Sequence, residues 1–149
     1  MKFSEISQED WESLRDYLDT CLLPITGLSG GEDPPAVTAM LERLRDRLEP
    51  IESAYKGRIV TYPAFHFTGV SDIGPHDRQR KERHLEAEEL INRLCATLKN
   101  GLFRYVVLIA VPGSVPAAWD AERFPDSDLC LFGHEEEIKR EIVKLWQHS

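Results

Sequence analysis

The chain has 149 residues, 42% of them hydrophobic and 30% charged, and carries a formal net charge of -8 from 26 acidic and 18 basic side chains. This length suits one domain spanning 1–149, and the composition excludes a disordered polymer. The acidic balance argues against nucleic acid as a partner, because a phosphate backbone would be repelled.

Cys21, Cys95 and Cys130 lie far apart and form no C-x-x-C. Such an odd, scattered set is expected of reduced thiols in a cytoplasmic protein rather than of a disulfide framework or zinc site. Met1 to Ile6 lead into acidic residues, so no secretory signal is expected. A membrane span needs about 20 mostly apolar residues, and no run approaches that length.

Ser7-Gln8-Glu9-Asp10 reads as a capped helix start, with Trp11, Leu14 and Leu18 on one stripe. Cys21 to Ile25 reads as a first strand, with Pro24 suited to a strand end or edge. Thr26 to Gly31 is a glycine-rich loop, and Asp33-Pro34 opens a helix whose core face is Val37, Met40, Leu41, Leu44 and Leu48. Pro50 predicts a kink before Lys56-Gly57 ends that helix. Arg58 to Tyr62 is the second strand, with Ala64 to Thr68 its continuation after a bend at Pro63. A loop from Gly69 to Pro75 leads to a long helix that starts at His76 or Asp77 and runs to about Lys99. Its core face is Ala87, Ile91, Leu94, Cys95 and Leu98, and Asn100-Gly101 stops it.

Tyr105 to Val111 is the longest apolar run and ends abruptly at Pro112-Gly113. A continuous apolar strand belongs in the middle of a sheet covered on both faces. Pro112 to Ser127 reads as irregular, with helical turns around Trp119. Leu129 to Phe132 is a last short strand. A final helix follows Gly133-His134 and packs Ile138, Ile142, Leu145 and Trp146 inward.

This alternation predicts an α/β fold in three layers, flavodoxin- or Rossmann-like. A mostly parallel sheet of about four strands would have helices on both faces. The connection to the last strand is near the minimum for a parallel return, so an antiparallel edge strand is the alternative. In such sheets ligands bind outside the carboxyl ends of the strands. Thr26, His66, Ser114 and His134 stand at the four ends and are the cleft candidates.

The motifs near those ends fit no specific chemistry. Ser114, Asp128 and His134 occur in the hydrolase order, but Val111-Pro112-Gly113-Ser114-Val115-Pro116 lacks the G-x-S-x-G elbow, and no catalytic residue is assigned. The loop Thr26–Gly31 lacks a phosphate-loop pattern, and Glu32 and Asp33 would repel phosphate. His66, His76, His84 and His134 share no ligand spacing, so neither metal nor cofactor is expected. Arg78, Arg80, Lys81 and Arg83, with His76 and His84, form the one basic cluster, a candidate patch for an anion or an acidic partner. Asp77, Glu82 and Glu86 interleave with it, as on a solvated helix start. Trp119, Phe124 and Pro125 are expected to cover the end of the sheet rather than face a partner.

Tyr17-Leu18-Asp19-Thr20, Lys56-Gly57-Arg58-Ile59-Val60 with Pro63-Ala64-Phe65, and Phe103-Arg104-Tyr105-Val106-Val107 resemble the YpiF-like family of uncharacterised proteins from Bacillus-type bacteria. The resemblance implies a cytoplasmic bacterial protein and brings no activity. Two functions are then in play. One is a non-catalytic interaction or regulatory domain acting through an unknown protein partner or self-association, with its strand ends plugged by Phe65, Phe67 or Trp119. The other is a ligand binder or enzyme whose open pocket unites Thr26, His66, Ser114 and His134.

Overall fold

The computed structural model describes residues 1–68, 77–133 and 137–147, and the backbone alone for 77–81. The elements are α1 (Gln8–Leu14), β1 (Thr20–Pro24), α2 (Pro34–Ala54), β2 (Ile59–Thr61), α3 (Asp77–Lys99), β3 (Tyr105–Ile109), β4 (Leu129–Leu131) and α4 (Ile138–Gln147). Four strands form one all-parallel sheet in the order β2-β1-β3-β4.

Strand alternation divides the core in two. Cys21, Leu23, Val60, Val106 and Leu108 join Ala87, Ile91 and Cys95 of α3, with Trp11 and Leu14 of α1 packed alongside. Leu22, Ile59, Val107, Ile109 and Leu131 join Leu44, Leu48 and Ile51 of α2 and Ile142 of α4. Each fully buried Leu or Ile contributes roughly 1.5–3 kcal/mol by leaving water. Every residue of β3 is buried, so the apolar run is the doubly covered strand that its composition predicts.

Ser7 caps α1 through its hydroxyl, which accepts from the Asp10 N–H at 3.1 Å. Asp33 does the same for α2 with Ala36 at 2.9 Å. α1 stops at Leu14, short of Leu18, although Leu18 still donates its N–H to the Leu14 carbonyl and is buried. Pro50 lies inside α2, which continues to Ala54. With no amide at residue 50, the Asp46 carbonyl lacks its usual helical donor.

The antiparallel alternative for the last strand is not what forms. β4 is parallel to β3, with Val107 opposite Leu129 and Ile109 opposite Leu131. The connection through 110–128 contains turns rather than a regular helix. Trp119 and Phe124, both buried, pack edge-to-face at 5.2 Å in the α3-side cluster. They cover the sheet where a crossover helix would otherwise lie, so a parallel return needs no helix here. The first crossover passes over the α2 face toward one edge, and the next two pass over the α3 face toward the other. Opposite directions over opposite faces give all three the same hand.

β2 resumes after Pro63 as expected, for Phe65 bridges Ile25 in parallel. At its outer edge Lys2 bridges Thr61, and the Thr61 N–H donates to the Met1 carbonyl at 2.7 Å. This extra pairing has no hydrophobic signature in the sequence.

Candidate functional site

The strand order reverses between β1 and β3, so their carboxyl ends are the expected binding crevice. The chain fills that place itself. A Cβ built on Gly27 would stand 1.4 Å from the Ser114 carbonyl oxygen, so two backbone segments touch across the junction. Ser114 ends a turn with Pro112 second and Gly113 third, and Gly113 has φ +80, as a type II arrangement needs. The Ser114 N–H and hydroxyl both donate to the Val111 carbonyl, at 3.0 and 2.6 Å. The serine is therefore spent on its own turn.

Thr26 and His66 do meet: Thr26 Oγ1 and His66 Nδ1 share a hydrogen bond of 3.0 Å. Thr68 donates its hydroxyl to the Thr26 carbonyl at 2.6 Å, pinning the other side of the turn. Between these anchors Phe67 is held at φ +61, uncommon for a residue with a Cβ, and is 64% exposed. Phe67 is too exposed to act as a plug, and Trp119 is buried against Phe124, Phe132 and His84. Backbone makes the contact between Gly27 and Ser114, while Phe65, one of the three aromatics expected there, is partly buried against the α3-side cluster with its backbone paired to Pro24 and Thr26 at the carboxyl end of β1. His134 lies outside the described residues, so the structure joins Thr26 to His66, sets Ser114 against Gly27, and leaves the fourth candidate aside.

Ser114 and Asp128 cannot act together. Asp128 precedes β4 at the amino end of the sheet, where Oδ2 accepts from the Val106 N–H at 2.8 Å and Oδ1 from Lys99 Nζ at 2.9 Å. Ser114 lies beyond the opposite end of β3. The glycine-rich loop is also satisfied internally. The Glu32 carboxylate accepts from the Ser29 N–H at 2.7 Å, the Ser29 hydroxyl at 2.8 Å and the Gly30 N–H at 3.0 Å. These bonds, the Ser29 backbone amide first, hold its pKa below the usual carboxylate range. The amides that would cradle a phosphate already hold an anion.

Of the basic cluster, Arg83 is exposed, whereas the side chains of Arg78, Arg80 and Lys81, and all of His76, lie outside the described residues. His84 turns inward onto Trp119, edge-to-face at 6.2 Å. Among the described residues no group of three or more His, Cys, Asp or Glu side chains is placed to hold a metal, and no helix is long and apolar enough to cross a membrane. The three cysteines are free. Burial pushes the Cys95 thiol up to about 12 and raises Cys21 and Cys130 as well.

An open pocket lies elsewhere. A pocket of about 620 Å³ opens between α2 and the start of α4, beside the carboxyl end of β3. Pro50, Ile51, Val111, Pro112 and Ile138 supply its apolar lining, and Arg43, Asp46, Arg47, Glu137 and Lys139 its polar one. Arg47 Nη2 donates to the Leu131 and Gly133 carbonyls at 3.0 and 2.8 Å, so its guanidinium is held in place. Periodicity assigns Arg43 and Arg47 only to the wet face of a helix. Their i,i+4 spacing was the available signal, and Pro50 one turn on was another.

A second constellation occupies the amino end of the sheet. Asp19 receives Arg58 through both carboxylate oxygens, at 3.0 and 3.2 Å, and its carbonyl accepts from the Arg104 and Tyr105 amides. The Arg58 guanidinium lies 4.0 Å over the Trp146 ring, whose Nε1 donates to Thr20 Oγ1 at 2.9 Å. Three short motifs far apart in sequence thus meet at one point.

The sequence pattern of a family described as a protein of unknown function, DUF2487, matches residues 9–123. The chain belongs to that family. No curated protein and no solved structure matches it. The DUF2487 match takes in the Asp19–Arg58–Arg104 junction, Gly27, Ser114 and both pocket arginines. It ends before β4 and α4, so Lys139 and Trp146 lie beyond it.

Proposed function

We propose that this DUF2487 chain is a non-catalytic interaction domain of the bacterial cytoplasm, one domain over 1–149 that binds neither nucleic acid nor membrane. The observation that carries the proposal is the contact of Gly27 with the Ser114 carbonyl, which occupies the crevice that a ligand-transforming α/β protein would leave open. Strand order 2-1-3-4 supports a flavodoxin-like layering. Free buried thiols at Cys21 and Cys95 suit a reducing compartment.

The surface that fits this role is a groove of about 250 Å³ near the β2 edge, lined by Phe3, Ile6, Ser7, Gln8, Trp11, Val60, Tyr62, Leu102 and Phe103. Phe3 is 49% and Leu102 41% exposed at its rim. None of its lining side chains is charged. On a molecule of net charge -8, that makes it a place where two copies meet without opposing like charges. A second copy is therefore the partner proposed. Sedimentation across a concentration series tests it. The expected result is a reversible dimer that the paired Phe3→Ser and Leu102→Ser substitutions return to monomer. A wild-type chain that stays monomeric throughout, or a dimer indifferent to both substitutions, overturns it.

A further inference from the structure

The pocket between α2 and α4 has the make-up of a small-molecule site. Its volume of about 620 Å³ falls within the range of roughly 300–1,000 Å³ typical of ligand cavities. It adjoins the carboxyl ends of β3 and β4, the end of a parallel sheet where ligands collect. It lies on the sheet face opposite the Phe3–Leu102 groove, for Ile51, Val111 and Ile138 belong to the α2-side cluster and Trp11, Tyr62 and Phe103 to the other.

Its two kinds of surface call for an amphipathic occupant. Pro50, Pro112 and Ile138 offer an apolar wall that water wets poorly, with Ile51 and Val111 almost fully buried behind it. Arg43 and Arg47, one helical turn apart, and Lys139 from α4 add positive charge. Arg47 is held by the Leu131 and Gly133 carbonyls and stands in the lining as a fixed positive charge. Two carboxylates share the lining, but Glu137 accepts from Arg140 Nη1 at 3.0 Å and is partly neutralised there. The local excess of positive charge is therefore small. It suits one negative charge and opposes a polyphosphate, which Asp46 would repel.

We infer that this pocket binds a small monocarboxylate with an apolar body, the carboxylate facing Arg43 and Lys139 and the body lying on Pro50, Pro112 and Ile138. The test is an amide NMR titration of the full chain with octanoate, with octanol and inorganic phosphate run beside it. Octanoate is expected to give saturable shifts centred on the amides of Ile51, Val111 and Ile138. Octanol and phosphate are each expected to bind at least tenfold more weakly. Arg43→Ala combined with Lys139→Ala is expected to weaken octanoate about tenfold or more, since charge-assisted hydrogen bonds are lost. Both residues are exposed, so the dispersion of the variant's spectrum reports whether the fold survives. Absence of saturable shifts, shifts centred elsewhere, or equal affinity for octanol or for phosphate overturns the inference. So does a folded double variant that binds octanoate unchanged.

Discussion

Two regions at the same end of the sheet have opposite character. At the β1–β3 junction the backbone of Gly27 rests on Ser114, and Thr26, Thr68, Glu32 and the Nδ1 of His66 bond within their own chain. Between α2 and α4, a few residues away, a pocket stays open with an apolar wall and a held arginine. The first region matches the position where such sheets bind ligands and lacks room. The second has room at a position that topology alone does not single out. Strand order locates candidate crevices, but the loops above the strands decide which one is empty.

The contrast can be broken first at Gly27. Gly27→Ala should be the most damaging change here, because its methyl would meet backbone that cannot rotate away. The expected loss is about 3 kcal/mol or more, at the upper end for overpacking, read by urea denaturation. A near-neutral result would mean that the junction is loose enough to open. Next is Arg47→Met, which strips a donor from the Leu131 and Gly133 carbonyls and should cost about 1–3 kcal/mol by the same measurement.

Glu32→Gln gives a smaller effect with a pH signature. The folded-state pKa of Glu32 lies below its unfolded value, so its contribution is present at neutral pH and is lost as pH falls through the folded pKa. The gap in melting temperature between wild type and Glu32→Gln should therefore be open at neutral pH and close in acid. A gap independent of pH would show that the carboxylate's charge contributes nothing to the loop. Smallest of all, Arg43→Ala should change stability by no more than about 0.5 kcal/mol, as for an exposed helix residue. That near-neutrality is what allows Arg43 to report on binding in the pocket rather than on folding.

Much of the architecture was legible from residue order. The uniformly apolar Tyr105–Val111, the caps Ser7 and Asp33, and the alternation of helix and strand pointed to a covered parallel sheet. These are local signals, carried by periodicity and by residues that satisfy helix ends. The direction of β4 was harder to read, because Trp119 and Phe124 do the covering without helical spacing. The strand-end candidates were named from topology, yet nothing in Thr26-Gly27 or Gly113-Ser114 tells that two glycine-lightened turns will press together.

From its residues alone, then, this chain determined which segments are strands and helices and which faces turn inward, since burial and hydrogen-bond closure act at short range. Tertiary structure decided which strand end is filled and which is open, and it brought Asp19, Arg58, Arg104 and Trp146 to one junction. Those outcomes depend on separations of a few ångströms between segments dozens of residues apart. Such distances are set by the packing of the whole sheet, and no short stretch of sequence encodes them.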